Sequence, residues 1–136
     1  MSESKFKGAA NSKFREAGYE VQCFEDKLSC GIADTFVGWD AGGVWIEWKW
    51  VGAIPARNAT PLMAQEDFRP AQIPWLARMY RKPLPTCVVV GSPKGYLVVP
   101  GIRAQALVDL PHSSWEWIND RPTMSMIMTQ LRSRMK

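Results

Sequence analysis

Asp34, Glu47 and Lys49 are the residues whose types and spacing could do chemistry. They fall in GIADTFVGWDAGGVWIEWKW, residues 31 to 50, where most other positions are apolar, aromatic or glycine. If two strands pair around WDAGG so that Asp34 lies opposite Glu47, the two carboxylates share one face of the pair. Lys49, two residues beyond Glu47, shares it too. Adjacent carboxylates repel, and a divalent cation with oxygen ligands, typically Mg²⁺, relieves them. A cation so held can bind a phosphodiester, activate a water and stabilise charge developing on the phosphate, while Lys49 orients that water or neutralises the transition state. A slip of one residue would send Glu47 and Lys49 to the other face. The same alternation also fits a solvated face of an amphipathic strand, with Asp34 an ordinary surface acid beside a loop.

The elements that must position these residues can be read around them. Phe6, Ala10, Phe14 and Ala17 recur at helical spacing and Gly18 follows as a stop, which predicts a helix over residues 2 to 17. Residues 19 to 24 read as a short strand and EDKLSCG as a loop. Two β-rich runs, 32 to 38 and 44 to 51, flank WDAGG, whose Asp and Gly residues favour a hairpin turn. Residues 52 to 67 hold two prolines and no clear period, a long loop. Ile73, Leu76, Ala77 and Tyr80 mark a helix that begins at Ala71 or later. TCVVVG and GYLVVP predict two strands joined across SPK, and helices are expected around 102 to 109 and 122 to 135. The expected fold is α/β, a central mixed sheet of about five strands flanked by helices.

At 136 residues, with 46% hydrophobic and 22% charged residues, the chain fits one globular domain, with a core over 2–100 and a C-terminal helical extension over 101–136. No run is apolar enough for a membrane span or a signal peptide, so no membrane partner and a cytoplasmic location are expected. A formal charge of +4 suits a polyanionic partner without demanding one. Basic residues cluster at Arg78, Arg81 and Lys82 and again at Arg132, Arg134 and Lys136. The first cluster could meet phosphates of a duplex or simply be a solvated helix end favoured by the dipole. Cys23, Cys30 and Cys87 have no CxxC spacing and read as structural or incidental thiols. His112 is the single histidine, against histidine-based nucleases and Ser-His-Asp hydrolases. Trp115 and Trp117 read as core or subunit-interface residues, and Met124, Ile127, Met128 and Leu131 form one helical stripe for core or dimer packing.

GIAD followed after a hairpin by WIEWK resembles the PD-(D/E)xK nuclease superfamily. The flanking order, an early SE opening a helix that ends in AGYEV, then FRPAQIPWL before TCVVV, is similar to the branch of VRR-Nuc domains and Holliday junction resolvases. The resemblance covers residues 2 to 92, with Ala33 where the motif has proline. It implies a restriction-endonuclease-like core and a metal-dependent hydrolase of DNA phosphodiesters. Glu3, Asp34 and Glu47 would be metal ligands, joined by the main-chain carbonyl of Ile46 or Trp48. Lys49 would be the catalytic lysine, and Gln72 would shape the site or touch phosphate. Glu3 equally fits a first-turn acid and Gln72 a polar residue at a helix start. Mg²⁺ with Mn²⁺ as substitute, a DNA partner that is branched or duplex, a homodimer, no organic cofactor and a bacteriophage origin complete the expectation. Activity on flaps, nicks or duplex ends, or a non-catalytic DNA-binding protein, are the rivals. Two acids facing phosphate weaken binding unless a metal intervenes, which disfavours the last.

Overall fold

The computed structural model describes residues 1–24 and 31–134. In chain order the elements are α1 (Glu3–Glu16), β1 (Glu20–Cys23), β2 (Thr35–Trp39), β3 (Gly42–Trp50), α2 (Gln72–Met79), β4 (Thr86–Ser92), β5 (Gly95–Pro100), α3 (Ala106–Asp109) and α4 (Met124–Arg134). The five strands form one mixed sheet in the order β1-β2-β3-β4-β5. All neighbours pair antiparallel except β3 and β4, which run parallel because the loop after β3 and then α2 carry the chain back over the sheet. The expected α/β architecture is present. The loop expected over EDKLSCG, with Cys30, lies outside the described residues apart from Gly31.

Alternation along the strands divides the core into two layers. Val44, Ile46 and Trp48 of β3 join Cys87, Val89 and Val98 under α1 and α4, with Phe6, Phe14, Ile127 and Leu131 supplied by the helices. The opposite face of β4 and β5, Val88, Val90, Leu97 and Val99, packs with Ile73, Trp75 and Leu76 of α2, Leu107 of α3 and Trp115. Every residue of β4 is therefore buried, which accounts for the unbroken apolar run CVVV. Residues 101–134 contribute to both layers, and the methionine stripe of α4 supplies Met124 directly to the first.

Three differences from the sequence reading bear on the site or the fold. The hairpin turn is the two residues Asp40 and Ala41 between paired Trp39 and Gly42, so both glycines of DAGG belong to β3. Gly43 is required there because the ring of Phe36 lies over it, leaving no room for a Cβ. β2 begins at Thr35, not residue 32: its ladder with β3 ends at the Thr35–Ile46 pair, and the chain turns ahead of it at Gly31, whose φ is +83°. The helix expected at 102 to 109 is a 3₁₀ turn, Gly101–Arg103, followed by the single turn of α3.

The loop over 52 to 67 is irregular and ends in a 3₁₀ turn, Gln65–Asp67. It is tied to the segment after β5. Met63 N–H donates to the Leu107 carbonyl (3.2 Å), His112 N–H to the Thr60 carbonyl (2.9 Å), and Gln105 Nε2 to Gln65 Oε1 (3.0 Å). His112 Nε2 lies 3.0 Å from the Arg57 carbonyl, so the single histidine pins this loop.

Candidate active site

The ladder between β2 and β3 ends at Thr35 opposite Ile46, and that register places Asp34 opposite Glu47. Beyond Ile46 only β4 pairs with β3. A cleft of about 570 Å³ opens in the space β2 leaves, lined by Glu3, Asp34, Glu47, Lys49, Gln72 and the run Glu66–Pro70. Glu3, Asp34, Glu47, Lys49 and Gln72, separated by up to 69 positions in the chain, thus share one wall system. Glu3 reaches it from α1, the acids and lysine from the hairpin, and Gln72 from the first residue of α2.

Glu47 and Lys49 do not lie on a solvated strand face. Their exposure is 4% and 9%, because β3 is the middle strand and α2 with its preceding loop covers this side. Glu47 is held by Asp34 N–H, which donates to its Oε1 (3.2 Å), and by Lys49 Nζ, 3.4 Å from Oε2. Lys49 Nζ also donates to the Asp67 carbonyl (2.7 Å) and sits 4.8 Å from the centroid of the Phe68 ring. The ammonium is thus fixed between loop and strand, aimed along the acids.

Asp34 is half-buried. Thr35 Oγ1 donates to its Oδ1 (2.8 Å), Lys7 Nζ approaches the same oxygen at 3.8 Å, and the Trp48 main-chain N–H bonds the carboxylate. Burial raises the Asp34 carboxyl above its ordinary range, with Lys7, Thr35 and Trp48 opposing and Glu3 adding to the rise. Burial, and then the charge of Asp34, push Glu47 up to about 7, against the pull of Lys49 and Arg69. A buried and a half-buried carboxyl that both resist ionisation form a site a cation would relieve.

The donor chemistry fits a hard divalent cation. Among the described residues no three His, Cys, Asp or Glu side chains cluster as a ligand set, so Glu3 lines the cleft without closing a three-acid cage. Two carboxylates leave the remaining positions to main-chain oxygen and water, as Mg²⁺ tolerates. Residues 46 and 48 of β3 turn their main-chain groups to the β2 side, and Trp48, beyond the end of the ladder, offers its carbonyl on the edge where Asp34 sits.

Gln72 is 2% exposed, and its Oε1 accepts the Arg69 N–H (3.1 Å), which shapes the turn into α2 and sets Arg69 on the cleft rim. Arg78 is exposed near the other end of α2, about 9 Å along the helix from Gln72, and Arg81 and Lys82 are exposed just past that end. Arg81 stands over the Tyr80 ring at 5.1 Å, and none of the three lines the cleft. Lys7, Thr35, Glu66, Asp67 and Arg69 were not singled out by sequence. Lys7 falls one helical turn after Glu3, a spacing that could have flagged it; the others depend on how the loop folds over β3.

Cys23 is exposed and Cys87 buried, its thiol pushed up by burial. Trp115 and the half-buried Trp117 belong to the α2 side of the core. Among the described residues no helix is long and apolar enough to cross a membrane.

No protein-family model and no curated protein matches the sequence. Among solved structures the chain is similar to Hjc of Archaeoglobus fulgidus, a Holliday junction resolvase from an archaeal hyperthermophile. The two are 16% identical over 74% of this chain and 73% of that chain, with a TM-score of 0.49.

Proposed function

We propose that the chain is a metal-dependent nuclease that hydrolyses DNA phosphodiester bonds, selective for branched DNA and working as a two-fold homodimer. The observation that supports this reading is the convergence of half-buried Asp34 with buried Glu47 and Lys49 in a cleft whose lining holds five carboxyl side chains and two cationic ones. A phosphate repelled by such a field enters only with a cation. Nothing in packing calls for these charges on a middle strand, where burying them costs stability.

Asp34 and Glu47, with the Trp48 carbonyl, would hold Mg²⁺ or Mn²⁺. When bound there, the cation supplies a Lewis acid for the phosphate oxygen and acidifies a bound water. Lys49, steadied by the Asp67 carbonyl and Phe68, would donate an N–H hydrogen bond to the oxygen of the attacking water or of the phosphate. Gln72 holds the Arg69 segment in place, and Arg69 and Lys7 temper the negative field at the entrance. The four-way junction is the first substrate to test because GIAD…WIEWK and its flanks resemble that branch of nucleases. A junction cut symmetrically needs two such sites, hence the homodimer.

The test is cleavage of labelled four-way junction, flap, nicked duplex, plain duplex and single strand with Mg²⁺, Mn²⁺ or EDTA, comparing wild type with Glu47→Ala. Cutting that needs the metal and is lost in the variant is expected, with paired nicks on the junction. Cutting of flaps or ends in preference would assign a different substrate. No cutting of any DNA, with binding indifferent to EDTA, would replace this reading with a non-catalytic DNA-binding protein.

A further inference from the structure

Directly behind Asp34 a second polar pair is buried in the mainly apolar layer under α1. Trp48 Nε1 donates to Thr35 Oγ1 (3.1 Å), and Thr35 Oγ1 donates to Asp34 Oδ1 (2.8 Å). Thr35 and Trp48 are both 0% exposed. We propose that Trp48 and Thr35 form a relay that holds the Asp34 carboxylate in the orientation a divalent cation requires, making Thr35 a positioning residue; this rests on the metal site proposed above.

The direction of the relay follows from the donors. An indole nitrogen can only donate, so it occupies a lone pair of the threonine hydroxyl and leaves the single hydroxyl proton for the carboxylate. Thr35 is β-branched, so few side-chain rotamers are open to it and its hydroxyl is aimed. The residues that share its layer, Val37, Val44 and Ile46, are all apolar and all 0% exposed. Valine would fill the same volume without a desolvated hydroxyl, so packing gives no reason for threonine.

Trp48 is itself immobilised. Phe6 meets its ring edge-on at 5.4 Å and Phe14 stacks on it at 6.2 Å, both from α1. The helix that brings Glu3 and Lys7 to the cleft thereby also fixes the indole that orients Asp34. With the Trp48 main-chain N–H on the same carboxylate, one residue grips Asp34 through both its backbone and, by way of Thr35, its side chain. Partners that orient a ligand typically change metal affinity 10–100-fold when removed.

The experiment is Mn²⁺ binding by calorimetry to the whole protein without DNA, so that it does not depend on catalysis. Thr35→Val is expected to weaken binding by about 10–100-fold, Thr35→Ser, which keeps the hydroxyl, to restore it, and Asp34→Asn to abolish it. Val44→Ala, a truncation in the same layer, controls for general loosening and should bind as wild type. Thr35→Val binding Mn²⁺ as tightly as wild type, while Asp34→Asn does not, would overturn the relay and leave the metal site standing. Equal binding by Asp34→Asn, or none by wild type, would overturn both. Should Thr35→Val fail to fold, Trp48→Phe decides, since weakened binding supports the relay and unchanged binding overturns it.

Discussion

At the scale of single residues, Glu47 pays for its position: buried, beside Asp34, it keeps its proton up to about 7, where an exposed glutamate loses it near 4.5. The folded state therefore binds that proton more tightly than the unfolded state. Stability from this group is present below 4.5 and is lost as pH rises through about 7. In EDTA, Glu47→Gln is expected to remove that slope, so that relative to wild type the variant gains up to roughly 3 kcal/mol between acid and neutral pH. Urea unfolding at several pH values measures it, and parallel curves would contradict the buried-pair picture. Asp34→Asn keeps shape and volume, so its circular dichroism should match wild type while cleavage falls more than about a hundredfold; an active variant would remove Asp34 from the site. Asp34, Glu47 and Lys49 were legible because a period of two and a short turn suffice to bring them together. Arg69 was not, because it meets the acids through a loop whose path over the sheet no local pattern encodes, and for Lys7 only its place one helical turn after Glu3 offered a hint.

At the scale of elements, the cleft exists because β2 stops at Thr35 while β3 runs on to Trp50. The chain enters β2 past the start of α2 through Gly31, where a Cβ would run into the Ala71 carbonyl and φ is +83°. Gly31→Ala is expected to destabilise the protein by about 1–3 kcal/mol and to disturb the turn that Gln72 braces. A chemical-denaturation midpoint equal to wild type would show that this approach is slack. The helices over 2 to 17 and after Ala71 were legible from apolar spacing, and so was the β4–β5 hairpin, which pairs Ser92 with Gly95 across two residues. The start of β2 was not, because residues 32 and 33 are as apolar as a strand, yet they follow the close approach of Gly31 to Ala71 and stay outside the ladder.

At the scale of the whole molecule, the sheet separates two cores, and the site lies at its end, where α1 from one layer and the α2 loop from the other both reach the acids. A symmetric cut of two strands requires two such ends in one particle. Sedimentation equilibrium is expected to return twice the chain mass, and a monomer at all concentrations, alone and with junction DNA, would argue against the two-fold enzyme.

By itself the sequence determined α1, α2, α4, the five strands to within a few residues, the hairpin and the face shared by Asp34, Glu47 and Lys49, because each rests on contacts a few residues apart and on the repeat of helix or strand. Only the tertiary structure decided that this face is buried, since burial comes from β4 and α2, dozens of residues downstream. It also decided that Lys49 is held by the Asp67 carbonyl, that Gln72 braces Arg69, and that a threonine and a tryptophan in the opposite layer reach the Asp34 carboxylate. Those are meetings of distant segments through specific polar atoms, and spacing along a chain carries no record of them.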